Sequence, residues 1–83
     1  MSQQATQSIL LLEDEQAIAD TILYAFQTDG FQITHVTTCE KALNQVKEGR
    51  FDFAIFDVGL PDGTGFELCK TVRTFSEIPV LFL

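Results

Sequence analysis

The tetrad Ile9-Leu10-Leu11-Leu12, closed at once by Glu13-Asp14-Glu15, constrains the fold of this chain more than any other feature. It is too short for a buried helix or a membrane span. It does not alternate apolar with polar residues, so it does not read as a half-exposed strand. A strand buried on both faces fits, and strands of that kind belong to parallel sheets covered by helices.

The remainder of the chain supplies those helices and more strands. Residues 16–28 carry a helical stripe of Ile18, Ile22 and Phe26, with Ala19 and Leu23 beside it. Gly30 suits the left-handed position just past a helix end. Residues 31–36 have strand composition. Thr37 and Glu40 have capping-box spacing for a second helix, whose stripe is Ala42, Leu43 and Val46 and whose stop is Gly49. Residues 51–56 form a third strand, apolar except for Asp52, that ends at Asp57. Thr64 and Glu67 repeat the capping-box spacing, and Phe66, Cys69 and Val72 are expected on the buried face of a third helix. Residues 78–83 read as a fourth strand, with Pro79 near its start, where a missing N–H is tolerable. The order β-α-β-α-β-α-β implies right-handed crossovers and a parallel sheet with helices on both faces.

At 83 residues the chain is one small domain, preceded by a Gln/Ser/Thr-rich stretch, residues 1–7, read as a flexible start. The apolar fraction of 46% is enough for a core and excludes a disordered tail. The formal net charge is −7, and Lys41, Lys47, Arg50, Lys70 and Arg73 are dispersed, so this segment offers nucleic acid no footprint. The start has no basic-then-apolar signal pattern, and no run reaches membrane length. Cys39 and Cys69 lie 30 residues apart, neither a metal knuckle nor a redox pair, and read as reduced thiols of a cytoplasmic protein.

The chemistry is in the carboxylates. Glu13 and Asp14 follow the first strand, and Asp57 ends the third. In a parallel sheet all three stand at the same edge. In the flavodoxin-like order the first and third strands are neighbours, and their carboxyl ends mark the ligand-binding switch point. Neighbouring strands are ~4.8 Å apart. Two carboxylates at ~5 Å repel by about 3 kcal/mol at an effective dielectric of 20. Such a cluster takes up protons unless a cation joins it. Few, hard oxygen ligands favour Mg²⁺, which keeps several waters and can also bind a phosphate. A carboxylate in that setting can act as a nucleophile toward a phosphoryl group, giving an acyl phosphate. Read one at a time, the same acids are ordinary polar strand ends.

The strings ILLLEDE at 9–15, FDFAIFD at 51–57, VGLPDGTGFELC at 58–69 and IPVLFL at 78–83 together resemble the receiver domain of two-component response regulators, of the class with a winged-helix output domain. The resemblance runs over residues 8–83. It implies a flavodoxin-like doubly wound α/β sheet of strand order 2-1-3-4. It makes Asp57 the phosphoacceptor, Asp14 a direct Mg²⁺ ligand and Glu13 a ligand through water. The backbone carbonyl of Gly59 completes the metal site, and Pro61, Gly63 and Gly65 shape the loop. It implies a sensor histidine kinase as phosphodonor, DNA contact only through a separate output domain, no membrane, and signalling rather than enzymatic turnover.

Receiver domains have five strands and five helices, whereas this sequence stops at Leu83, after the fourth strand. By that resemblance, helix four, strand five and helix five are expected to lie outside these 83 residues, and with them the Ser/Thr and Lys that contact the phosphate. The fourth strand is then expected to be an exposed apolar edge through which the chain self-associates. Two other functions compete. One is a receiver-like interaction fragment that is not phosphorylated. The other is a phosphatase of the haloacid-dehalogenase type, since Asp57 with Asp62-Gly63-Thr64 resembles its D-x-D-G-T motif. Here four residues separate the aspartates instead of one. His35 reads as a surface or satisfied histidine, Tyr24 as packing or exposed, and the Phe residues as core.

Overall fold

The computed structural model describes residues 6–83. Five of the seven residues read as a flexible start therefore lie outside the described residues. Gln7 is tied to the sheet, its carbonyl accepting the Gln32 N–H at 2.9 Å.

The apolar tetrad lies in strand β1 (Ser8–Leu12), with β2 (Gln32–Val36) on one side and β3 (Phe53–Phe56) on the other, both parallel to it. Successive side chains of a strand point to opposite faces. Ile9 and Leu11 join Ala19 and Ile55 on one face, where Ile22, Leu23 and Phe26 of α1 (Gln16–Thr28) pack. Leu10 and Leu12 join Ala42, Ala54, Phe56, Leu68 and Val72 on the other, beneath α2 (Cys39–Glu48) and α3 (Gly65–Val72). All four residues of the tetrad are 0% exposed, which is why the run has no polar member.

Helix α1 stops as its sequence suggests. Gly30 has φ +92°, Gly30 N–H donates to Gln27 O at 3.0 Å, and Phe31 N–H donates to Phe26 O at 3.1 Å. The Phe26 and Phe31 rings close this cap at 5.5 Å between centroids. Strand β6 (Val80–Phe82) pairs with β3, giving the order β2-β1-β3-β6, the expected 2-1-3-4. It forms one edge of the described sheet, with Leu81, Phe82 and Leu83 exposed.

Several local expectations change. The loop after Asp57 folds into a small antiparallel ribbon, β4 (Gly59–Leu60) with β5 (Gly63–Thr64). Helix α2 is capped by Thr38, not Thr37: the Thr38 hydroxyl accepts the Lys41 N–H at 3.2 Å. Strand β3 starts at Phe53 because Asp52 turns aside, its carboxylate accepting the Ser8 N–H at 2.7 Å. The buried face of α3 is Gly65, Leu68 and Val72, which share one stripe at helical spacing. Phe66, one position round, is exposed and packs on Phe82 at 4.7 Å between ring centroids. Ile18 is likewise exposed, and Phe66, Phe75 and Phe82 are not core residues.

Candidate functional site

Strand register brings the acidic residues together. Leu12 of β1 lies opposite Phe56 of β3, so Glu13 and Asp57 are the first residues beyond two adjacent strands. The Asp57 N–H donates to Leu12 O at 2.9 Å, and the Glu13 N–H donates to Val36 O at 3.1 Å. Both backbones are thus fixed by the sheet before either side chain is considered. Glu13, Asp14 and Asp57 each offer a carboxylate oxygen within 4.8 Å of the others.

The three differ in exposure: Glu13 is buried, Asp57 half-buried and Asp14 open to solvent. Burial pushes the Glu13 carboxyl above its usual range. The Glu15 N–H, which Glu13 Oε2 accepts at 3.0 Å, pulls it back in part, while the carboxylates of Asp57 and Asp14 push it further up. When ionised, a buried carboxyl raised by two neighbouring acids carries negative charge without compensation, and a divalent cation would supply that compensation. The all-oxygen donor set fits a hard ion such as Mg²⁺.

The segment after Asp57 is held from both ends. Gly59 sits in β4 opposite Thr64. The Gly65 N–H donates to Val58 O at 2.9 Å, and the Thr64 hydroxyl accepts the Glu67 N–H at 3.1 Å, the N-cap the sequence suggests for α3. Asp62, at the tip of the ribbon, is the residue whose role the sequence hides. Its two carboxylate oxygens accept the N–H groups of Cys39 and Glu40, at 2.8 and 3.1 Å, across the first turn of α2. Those two donors hold its carboxyl below the usual range. A loop acid clamped to a helix more than 20 positions upstream leaves no local signal. The clamp also turns Asp62 toward α2, which removes the second aspartate that the dehalogenase-type motif needs.

Cys39 and Cys69 are free thiols. Burial, then the Asp62 carboxylate, pushes the Cys39 thiol up to about 11. Tyr24 is exposed. His35 is satisfied, with Nε2 at 2.8 Å from the backbone carbonyl oxygen of Glu13. No helix among the described residues is long and apolar enough to cross a membrane.

Residues 9–83 match the family described as response regulator receiver domain. The transcriptional regulatory protein CreB of Escherichia coli K12 is 41% identical over 78 residues, which are 93% of this chain and 34% of that protein. The chain thus spans about a third of the length of the curated relatives it matches. The response regulator TrrA of Thermotoga maritima, solved with Mg²⁺ and BeF, superposes with a TM-score of 0.86 at 25% identity, over 90% of this chain and 66% of that one. The complex of histidine kinase ThkA with TrrA gives 0.87 at 24% identity, over 93% of this chain and 67% of the matched one, a likeness of fold.

Proposed function

The chain belongs to the response-regulator receiver-domain family, and from that premise we propose that Asp57 accepts a phosphoryl group from a sensor histidine kinase in the presence of Mg²⁺. The convergence of Glu13, Asp14 and Asp57 within 4.8 Å at the end of β1 and β3 carries this reading. Glu13, Asp14 and Asp57, with the carbonyl of Gly59, would hold the cation. When bound, Mg²⁺ offsets charge on the transferring oxygens.

An oxygen of the Asp57 carboxylate attacks phosphorus. The bond from phosphorus to the donor imidazole breaks, its electron pair returns to the ring nitrogen, and an acyl phosphate remains on Asp57. A carboxylate nucleophile needs no general base, so positioning is the protein's main contribution. The backbone bonds from Asp57 to Leu12 and from Gly65 to Val58 supply it.

The donor class follows the family, and TrrA shows a protein of this fold docked on a histidine kinase. CreB is a transcriptional regulator, and control of transcription through an attached output domain is the role we assign by that likeness. The reading carries a cytoplasmic location with it. It describes a signalling domain that is modified once per cycle, not an enzyme that turns over substrate. Studied alone, these 83 residues are expected to self-associate through the exposed Leu81, Phe82 and Leu83 of β6, and a monomer in sedimentation at micromolar concentration would exclude that.

The test is direct. With Mg²⁺ and acetyl phosphate, intact mass should rise by one phosphoryl group in the wild type and not in Asp57→Ala. No increase in the wild type would favour an unphosphorylated interaction module. Continuous release of inorganic phosphate from a generic ester would favour a phosphatase.

A further inference from the structure

His35 lies on β2 opposite Leu11 of β1, one residue pair short of the strand ends. Its Nε2 approaches the Glu13 carbonyl oxygen at 2.8 Å. A carbonyl oxygen only accepts, so Nε2 carries the proton and the ring donates. The bond reaches from a β2 side chain to the first residue beyond β1. The N–H of the same residue is held by Val36 O, also on β2, at 3.1 Å. Glu13 is therefore gripped by β2 through both of its backbone polar groups.

This matters because of what the carbonyl controls. The Glu13 C=O and the Asp14 N–H lie in one peptide plane. Fixing that plane fixes the direction in which Asp14 leaves the sheet. We propose that His35 is a positioning residue for the acidic site: its hydrogen bond to the Glu13 carbonyl sets the peptide that presents Glu13 and Asp14 to a divalent cation beside Asp57. The role rests on the cation-binding reading above. Without the donor, the carbonyl of a buried residue loses its partner and the peptide is free to rotate toward another.

The experiment uses the full chain and two amide replacements. The amide nitrogen of glutamine can approach the place of Nε2, whereas that of the shorter asparagine falls nearer Nδ1. Mg²⁺ affinity is measured by calorimetry for wild type, His35→Gln and His35→Asn, and urea midpoints in EDTA report folding. Long-range ¹H–¹⁵N spectra of the wild type report which ring nitrogen is protonated. The proposal expects an Nε2-protonated ring. It expects His35→Asn to weaken Mg²⁺ by about tenfold, the range for partners that orient metal ligands, and His35→Gln to recover most of that loss. A ring protonated on Nδ1 alone overturns it, as do equal affinities in wild type and His35→Asn, or a Gln variant no better than Asn. A wild type that binds no Mg²⁺ overturns the cation reading and this role together, whereas tight wild-type binding that His35→Asn leaves untouched overturns this role alone.

Discussion

Gly65, the first residue of α3, lies against the main-chain carbonyl of Asp57 so closely that a Cβ there would overlap its oxygen, and would stand 3.1 Å from the Asp57 carbonyl carbon and 3.2 Å from Phe56 Cβ. The obstacle is backbone, which a rotamer change cannot relieve. In a free helix Gly→Ala stabilises by up to about 1 kcal/mol. Here the sign should reverse, and Gly65→Ala should destabilise by roughly 1–3 kcal/mol, the usual cost of overpacking. Because the strain falls on Asp57 itself, labelling by acetyl phosphate should also slow. Urea denaturation and a labelling time course check the two effects separately.

Asp62 should matter to stability although it is exposed. Its carboxylate satisfies two N–H groups at the start of α2, which helix geometry leaves without partners. Asp62→Ala should lower the melting temperature, and Asp62→Asn, which keeps one acceptor oxygen, should lower it less. The native carboxyl is held below its ordinary value of 3.8. Its stabilisation is therefore complete above the ordinary value and is lost as pH falls through the native one. Thermal melts of wild type and Asp62→Ala should accordingly converge in strong acid and separate toward neutral pH.

The element order and the acids at the strand ends are legible because each rests on a run of local residues, whereas the strand order β2-β1-β3-β6 pairs distant segments and is implied only by the family resemblance. Residues 9–12 and 53–56 are apolar throughout because both faces of their strands are covered, and the acids follow where that cover ends. The partners of Asp62 and of the satisfied His35 are not legible, because they lie 22 or 23 positions away and only the folded sheet and helices bring them together. The phase of α3 was misread for a different reason. Helical spacing groups Phe66 with Cys69 and Val72; Val72 is buried and Cys69 packs at the edge of the core, but the close approach at Gly65 puts Leu68 inward and leaves Phe66 to pack on Phe82. The β4–β5 ribbon has two residues per strand, too few for any periodic pattern to show.

Cys39 should be a slow thiol. Its pKa is pushed from an ordinary 9.0 to about 11, chiefly by burial and then by the Asp62 carboxylate. Two units cut the thiolate fraction at pH 8 by about a hundredfold, and the thiolate is the nucleophile. Alkylation by iodoacetamide at pH 8, followed by peptide mass spectrometry, should find Cys39 reacting far more slowly than free glutathione. Asp62→Asn should speed that reaction by removing the adjacent charge, with burial still holding it below the free thiol. A Cys39 as reactive as glutathione in the folded wild type would contradict its packing between α2 and the ribbon.

The pH dependence of stability should expose the acidic site even without phosphodonor. Glu13 has a native carboxyl raised above its ordinary 4.5, first by burial and then by the charges of Asp57 and Asp14, against the partial opposing pull of the Glu15 N–H. In the window above the ordinary value the native state binds more protons than the unfolded chain, so this group makes stability fall as pH rises through its native pKa. Asp62 acts in the opposite sense, so the comparison that isolates Glu13 is wild type against Glu13→Gln. In EDTA, Glu13→Gln should gain stability on the wild type as pH rises from the ordinary carboxylate range toward neutrality. Mg²⁺ should reverse the ranking, because it binds only the folded wild-type cluster: at ten times its Kd the expected stabilisation is about 1.4 kcal/mol. That gain should grow with pH, since the cation competes with the proton that Glu13 holds. Urea midpoints for both chains across pH 5 to 8, with Mg²⁺ and with EDTA, measure all of this. A Mg²⁺ effect that is the same in wild type and Glu13→Gln would detach Glu13 from the cation site.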